Sequence, residues 1–221
     1  MISFSGVSKY YPGRTGKRLI LDNITCKIEP GKDIGILGKN GAGKSTLIRM
    51  IAGSEPADSG IITRDGSISW PLGFKGGFHG SLSGRENVRF VSRIYGQDPK
   101  KIFDFVTDFA DLGKYIDMPL KSYSSGMKAR LAFGLSMAID FDYYLIDEVI
   151  AVGDAAFKKK CKETLAIKRK KATIILISHS NSILKEFCQR GAVLDNGRLA
   201  IYDTIDEAIT IHELNQILNN A

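Results

Sequence analysis

The chain has 221 residues, 43% hydrophobic and 25% charged, a balance that supports one large core or two small ones and excludes a disordered polymer. No run approaches the roughly 18 uninterrupted apolar residues that cross a bilayer, and the start, Met1 to Gly6, lacks a basic region followed by an apolar core, so a cytoplasmic location is expected. A net charge of +7 leaves nucleic acid, an anionic membrane surface and a merely basic soluble protein all open.

Residues 1–30 alternate in the manner of an antiparallel pair: Ile2, Phe4 and Val7, then Leu19, Leu21, Ile24 and Ile28, with Pro12, Gly13 and Gly16 marking the loop. Tyr10 and Tyr11 end the first strand; each is either an ordinary packed tyrosine or an aromatic face for a purine ring. The run 33–37 reads as a short buried strand. Gly38-Lys39-Asn40-Gly41-Ala42-Gly43-Lys44-Ser45-Thr46 follows it, and an apolar helix begins at Leu47. Strand, glycine-rich loop, Lys-Ser and helix in that order form a P-loop. Its glycines let successive N–H groups turn toward phosphate oxygens beside a helix N-terminus. Lys44 is expected to reach the β- and γ-phosphates, and the Ser45 hydroxyl a Mg²⁺ ion.

Residues 59–63 and 66–70 read as two more strands. The segment 71–80, with its glycines and aromatics, reads as a binding loop. Ser83 with Glu86 has capping-box spacing, and two apolar stripes over 83–118 predict a small helical subdomain. The apolar strand 143–146 ends in Asp147-Glu148, and the strand 173–177 ends in Ser178-His179. Between them lies a lysine-rich helix over 157–171 whose basic run reads as a solvated face. Residues 192–202 predict a hairpin with an Asn-Gly turn, and 205–218 a helix. Strands alternating with helices imply an α/β fold with a mainly parallel sheet covered on both sides. Cys26, Cys161 and Cys188 show no metal-ligand spacing and read as buried thiols.

A carboxylate at the end of a strand beside a P-loop suits a second Mg²⁺ contact, the role expected of Asp147. Glu148, one residue on, suits the general base that activates water. His179, at the end of the next strand, is either structural or a contact to the γ-phosphate or to that water.

Taken together, these motifs resemble the nucleotide-binding subunit of an ABC transporter over essentially the whole chain. The family's Leu-Ser-Gly-Gly-Gln signature corresponds to Tyr123-Ser124-Ser125-Gly126-Met127, with a later arginine at Arg130. Its post-glutamate loop corresponds to Ala151-Val152-Gly153-Asp154, its switch histidine to His179 and its adenine-stacking aromatic to Tyr11. The resemblance implies one ATP- and Mg²⁺-binding domain over 1–221: a P-loop cassette with an N-terminal antiparallel β subdomain and a helical signature subdomain at about 83–137. It implies two cassettes clasping ATP head to tail, Ser124, Ser125 and Gly126 completing the site of the other copy, and a separate membrane permease. Ser125 in place of glycine still permits a tight turn, whereas Met127 loses a polar contact.

Trp70-Pro71-Leu72-Gly73-Phe74, Gly76-Gly77-Phe78 and Gly84-Arg85-Glu86-Asn87-Val88 are similar to exporters of bacterial capsular polysaccharide, with O-antigen and teichoic acid exporters as relatives. That similarity implies a peripheral ATPase on the cytoplasmic face of the inner membrane, touching the polysaccharide only indirectly and binding no nucleic acid. A soluble ABC ATPase of translation or DNA repair and a nucleotide switch without turnover are the competing readings. Most cassettes carry a glutamine in the segment 70–80, and this chain has none there. His79 is therefore either an exposed loop residue or the coupling residue, with Lys75 as a point-charge alternative. Phe74 and Phe78 are the candidates for the permease contact if His79 has no such role.

Overall fold

The computed structural model describes residues 1–13, 16–72, 78–147 and 154–218. The chain divides into two units: Met1–Pro71 with Phe141–Glu148 and Lys171–Ala221, and Leu72–Asp140 with Val149–Lys170.

In the first unit, β1 (Ile2–Gly13) and β2 (Gly16–Ile28) form a long antiparallel hairpin, and β4 (Ser59–Arg64) adds antiparallel to the other edge of β1. The second sheet has the order β5 (Tyr143–Asp147), β6 (Thr173–Ile177), β3 (Ile34–Leu37), β7 (Arg190–Asp195), β8 (Arg198–Tyr202). Its first four strands are parallel and β8 closes it antiparallel. This is the mainly parallel α/β sheet that the apolar strands predict. Asn196 at φ 47° and Gly197 at φ 80° make the expected turn between β7 and β8, since both central residues of such a hairpin turn need positive φ.

Period-two alternation sorts the strand residues onto two faces. Ile34 and Ile36 of β3, Ile175 and Ile177 of β6, and Ala192 and Leu194 of β7 join a buried cluster with Leu47, Ile48 and Ile51 of α1 (Lys44–Ile51). Ile2, Phe4, Leu21 and Ile28 of the hairpin enter the same cluster. On the opposite face β3 and β7 each set a glycine against a helix. A Cβ at Gly35 would stand 2.8 Å from Leu184, in α6 (Asn181–Phe187), and one at Gly191 would stand 2.2 Å from Ala208, in α7 (Ile205–Leu218). At Gly191 the atom met is Ala208 Cβ, which cannot swing aside, so α7 lies closer to β7 than a side chain there would allow.

The expected strand over 66–70 is absent. Ser67 N–H and Oγ both donate to the Asp142 carboxylate (2.7 and 2.8 Å), and a single parallel bridge joins Ile68 to Tyr143. Tyr143 N–H donates to the Ser67 carbonyl and Ser69 N–H to the Tyr143 carbonyl, but the next donor of β5, Leu145 N–H, goes to Ser69 Oγ, so the backbone pairing stops after one bridge, which is how serine competes with regular structure.

The second unit contains α2 (Gly84–Ile94), α3 (Pro99–Ala110), α4 (Ser125–Ala138) and α5 (Ala155–Lys168). Phe109, Phe133 and Phe157 pack at its centre with ring centroids 5.5–6.3 Å apart. Helix α5 belongs to this unit although it lies between β5 and β6 in sequence. Each helix start is capped by its own sequence. Ser83 and Glu86 form the predicted capping box, Asp98 caps α3 with Pro99 behind it, Ser124 caps α4 and Asp154 caps α5.

Candidate functional site

The P-loop leaves β3 at Gly38, which is pressed so closely on β7 that a Cβ would stand 2.6 Å from the Leu194 carbonyl oxygen. Gly41 (φ +79°) and Gly43 (φ +106°) then turn through the left-handed region that glycine alone enters without strain, and α1 begins at Lys44. A Cβ at Gly43 would also meet Ile20 Cγ2 at 2.8 Å, so β2 is seated on the loop. Lys44 is only 8% exposed, and its ammonium donates to the carbonyls of Gly38 (2.6 Å) and Lys39 (3.0 Å). A buried cation is thus held by its own loop at the N-terminus of α1, an arrangement suited to an anion.

The loop forms one wall of a cleft of about 480 Å³. Asn40, Gly41, Gly43 and Lys44 to Thr46 line that wall, Asp147 at the end of β5 and His179 after β6 line a second, and Tyr11, Arg18 and Ile20 of the hairpin a third. Asp147 and Ile177 are register partners in adjacent parallel strands, so the carboxyl ends of the strands open onto the P-loop, where α/β sheets bind ligands. Among the described residues no group of three or more His, Cys, Asp or Glu side chains could hold a metal. Ser45 and Asp147, the residues expected to hold Mg²⁺, both line the cleft and offer a hydroxyl and a carboxylate, oxygen donors of the kind this ion takes.

The turn carrying His179 is fixed from both sides. Ser180 N–H donates to Ser178 Oγ (3.1 Å), and Asn181 Nδ2 donates to Glu213 of α7 (3.0 Å). Burial first, and then the nearby Lys44 charge, push the His212 imidazole down, against the opposing pull of Asp195 and Glu213.

Tyr11 offers its ring to the cleft while its hydroxyl is engaged behind it. That hydroxyl donates to Glu55 and accepts from Arg49 Nη2 (3.0 Å), and Arg49 also donates to Thr46 Oγ1 (3.2 Å) and, through Nε, to Glu55 (2.8 Å). Lys9 Nζ lies 3.5 Å from Glu55. Burial pushes the Glu55 carboxyl up, but the bonds from Tyr11 and Arg49 and the Lys9 charge outweigh it and hold the group below its ordinary value. Sequence reading missed Arg18, Ile20, Arg49 and Glu55. The signal for Arg18 is its register opposite Tyr11 in the hairpin; nothing in the sequence marks Glu55.

The remaining candidates belong to the second unit or fall outside the described residues. Ser124 and Ser125 are exposed and Gly126 half-buried at the start of α4, with Ser124 Oγ accepting from Met127 N–H (3.2 Å). Asp154 is engaged within its own chain, accepting from Phe157 N–H (2.8 Å) and from Arg130 Nη2 (2.6 Å). The Phe157 N–H foremost, with Arg130, keeps its carboxyl below the ordinary range. His79 is exposed, but its backbone is clamped by the fully buried Asn87. His79 N–H donates to Asn87 Oδ1 (2.8 Å), and Asn87 Nδ2 donates to the carbonyls of His79, Leu82 and Ser83. Phe78 is half-buried. Glu148, Phe74 and Lys75 lie outside the described residues.

A family model described as ABC transporter matches residues 21–151. The chain is 54% identical over 208 residues to the capsule polysaccharide export ATP-binding protein CtrD of Neisseria meningitidis serogroup B, covering 94% of this chain and 96% of that protein. It is 52% identical, with the same coverage, to the ATP-binding protein BexA of Haemophilus influenzae. Identity falls to 37% for the teichoic acids export ATP-binding protein TagH of Staphylococcus epidermidis, covering 87% of this chain and 74% of that one. The fold matches a dimeric, post-hydrolysis state of the ATP-binding cassette MJ0796 bound to ADP and Pi, with a TM-score of 0.79 at 19% identity, over 92% of this chain and 98% of that one.

Proposed function

The chain belongs to the ABC transporter family, and on that premise we propose that it is the ATP-binding and ATP-hydrolysing subunit that powers export of a capsular polysaccharide through a separate membrane permease. The observation that carries this reading is the cleft itself, in which a buried lysine, a strand-end carboxylate and a strand-end histidine surround a P-loop. Among the relatives, identity is higher to the capsule exporters than to the teichoic acid exporter, which favours the capsule branch.

Lys44 and the loop N–H groups hold the β- and γ-phosphates, and Ser45 and Asp147 hold Mg²⁺, which supplies charge neutralisation at the leaving and transferring oxygens. Glu148 accepts the proton of the attacking water, and His179 contacts the γ-phosphate. Tyr11 stacks on the adenine, while Gly38 to Thr46 wrap the phosphates. The chain acts as one nucleotide-binding domain, with its helical unit inserted in the P-loop core. Two copies pair head to tail, Ser124, Ser125 and Gly126 meeting the γ-phosphate on the partner, and Asp154 lies at that junction through the helix start that it caps. His79 and the neighbouring Phe74 and Phe78 face the permease, which keeps the assembly on the cytoplasmic side of the inner membrane.

The test is affinity capture of the tagged chain from detergent-solubilised membranes, followed by analysis of the bound glycan. Recovery of an integral membrane protein with a capsular polymer is the expected result. Recovery of ribosomes or DNA overturns the transport reading, and an O-antigen or teichoic acid polymer moves the chain to the neighbouring branch.

A further inference from the structure

Glu55 follows α1 and is not part of the cleft wall, yet its side chain is only 14% exposed and it binds the two residues that link the cleft to α1. One carboxylate oxygen accepts from the Tyr11 hydroxyl and the other from Arg49 Nε at 2.8 Å. Arg49 in turn reaches Tyr11 and Thr46, and the hydroxyls of Tyr11 and Thr46 are 3.3 Å apart. The Lys9 ammonium, fixed by the Pro56 carbonyl at 2.9 Å, stands beside both Glu55 and the Tyr11 ring. This closed network spans β1, α1 and the turn after α1.

Its geometry has one consequence for binding. Tyr11 lies near the far end of the hairpin, three residues from residues 14–15, where a strand has least support from the rest of its sheet. The Tyr11 tip is nevertheless bonded to the helix that begins with Lys44. The hydroxyl donates to Glu55 and accepts from Arg49, with Thr46 Oγ1 beside it at 3.3 Å, so the part of Tyr11 left for a ligand is the ring face. Arg49, with Glu55, ties the Tyr11 tip to α1, the helix that leaves the P-loop.

We infer that Glu55, acting with Arg49, is a positioning residue for nucleotide binding, which fixes the Tyr11 ring against the P-loop helix so that the base platform is already formed before a nucleotide arrives. The inference rests on the reading above, in which the triphosphate lies on the P-loop and the base on Tyr11. Pre-organisation of this kind raises affinity by removing the ordering cost from the binding step. It acts on the base-dependent part of the affinity and leaves the phosphate-dependent part unchanged.

Calorimetry with two ligands, Mg-ATP and inorganic tripolyphosphate with Mg²⁺, separates the two parts. Glu55→Ala is expected to weaken ATP binding roughly five- to tenfold, a fraction of a full base-stacking contribution, with the tripolyphosphate affinity unchanged. Glu55→Gln keeps an acceptor for the Tyr11 hydroxyl and restores most of the ATP affinity. Tyr11→Phe keeps the ring but cuts the network, and reproduces the ATP-selective loss even where Glu55→Ala fails to fold. In a Tyr11→Ala background, Glu55→Ala has no further effect on ATP. Equal losses for both ligands, no loss in either variant, or additive losses in the Tyr11→Ala background overturn the inference. A wild-type protein that binds tripolyphosphate and ATP equally well removes the base platform itself and the inference with it. A wild-type protein that binds neither ligand overturns the reading of the site.

Discussion

Lys44 is a cation buried by its own loop, and the two carbonyls that accept from it define both what it does and what its loss would do. They fix the ammonium in place with little solvent around it, which makes a charge-assisted contact to phosphate strong. Lys44→Ala removes that cation and leaves only the backbone N–H groups, so ATP hydrolysis is expected to fall by about a hundredfold or more while the fold persists. A phosphate-release assay on the purified variant checks it, and near-normal turnover contradicts the assignment. Glu55 makes a different prediction, one about pH. Its folded pKa lies below the ordinary 4.5, so the folded state binds its proton less readily than the unfolded chain. The stability contributed by the Tyr11, Arg49 and Lys9 interactions is then fully present above pH 4.5 and is lost as pH falls through the lower folded value. Chemical-denaturation midpoints followed from pH 7 into that acid window are expected to drop less steeply for Glu55→Gln than for wild type. Identical slopes would show that other carboxylates carry the acid sensitivity.

Among the elements, α7 depends most on a residue it does not contain. Ala208 stands where a Cβ at Gly191 of β7 would be, at 2.2 Å, and Ile205 Cδ1 lies 3.3 Å from the same point. Gly191→Ala must lift α7 or bend β7, and both Ala208 and Ile205 are buried. Overpacking of this kind costs about 1–3 kcal/mol, which a lowered melting temperature reports; an unchanged one would show that the helix slides freely. Short contacts of this sort explain what was legible in the sequence and what was not. The P-loop, the Asn-Gly hairpin, the capping box and the apolar strands are local patterns, in which neighbouring residues determine the structure, and each stands where the sequence predicts it. The segment 66–70 shows the opposite case. Its Ser67 is claimed by Asp142, distant in sequence, and no local pattern reveals that pairing. The same holds for Glu55 and Arg49, which carry no local pattern of their own and are set behind Tyr11 only by the fold. Arg18 was equally hidden, because only the hairpin register brings it opposite Tyr11.

At the scale of the whole molecule, the chain carries one P-loop and one signature segment, and the two lie in different units. The proposed head-to-tail pairing would give each segment a ligand, because the start of α4 presents exposed Ser124 and Ser125 beside N–H groups that favour an anion. Two variants test the pairing. Glu148→Gln keeps the shape of the proposed base but cannot take the proton, so ATP should bind, close the dimer and stay uncleaved. On size-exclusion chromatography with ATP and Mg²⁺ this variant is expected to elute as a dimer. Gly126→Glu is the second change. A Cβ at Gly126 would meet only Ser124 Oγ, at 3.9 Å, so a side chain fits there without disturbing the fold. Its carboxylate would nonetheless lie where the partner's phosphates must approach, and like charges repel strongly in a partly dry interface. The double variant Glu148→Gln, Gly126→Glu is therefore expected to bind ATP with the affinity of the single variant and yet elute as a monomer. A double variant that dimerises as well as Glu148→Gln alone would mean that the two copies meet through some other surface, and the start of α4 would lose its place at the nucleotide.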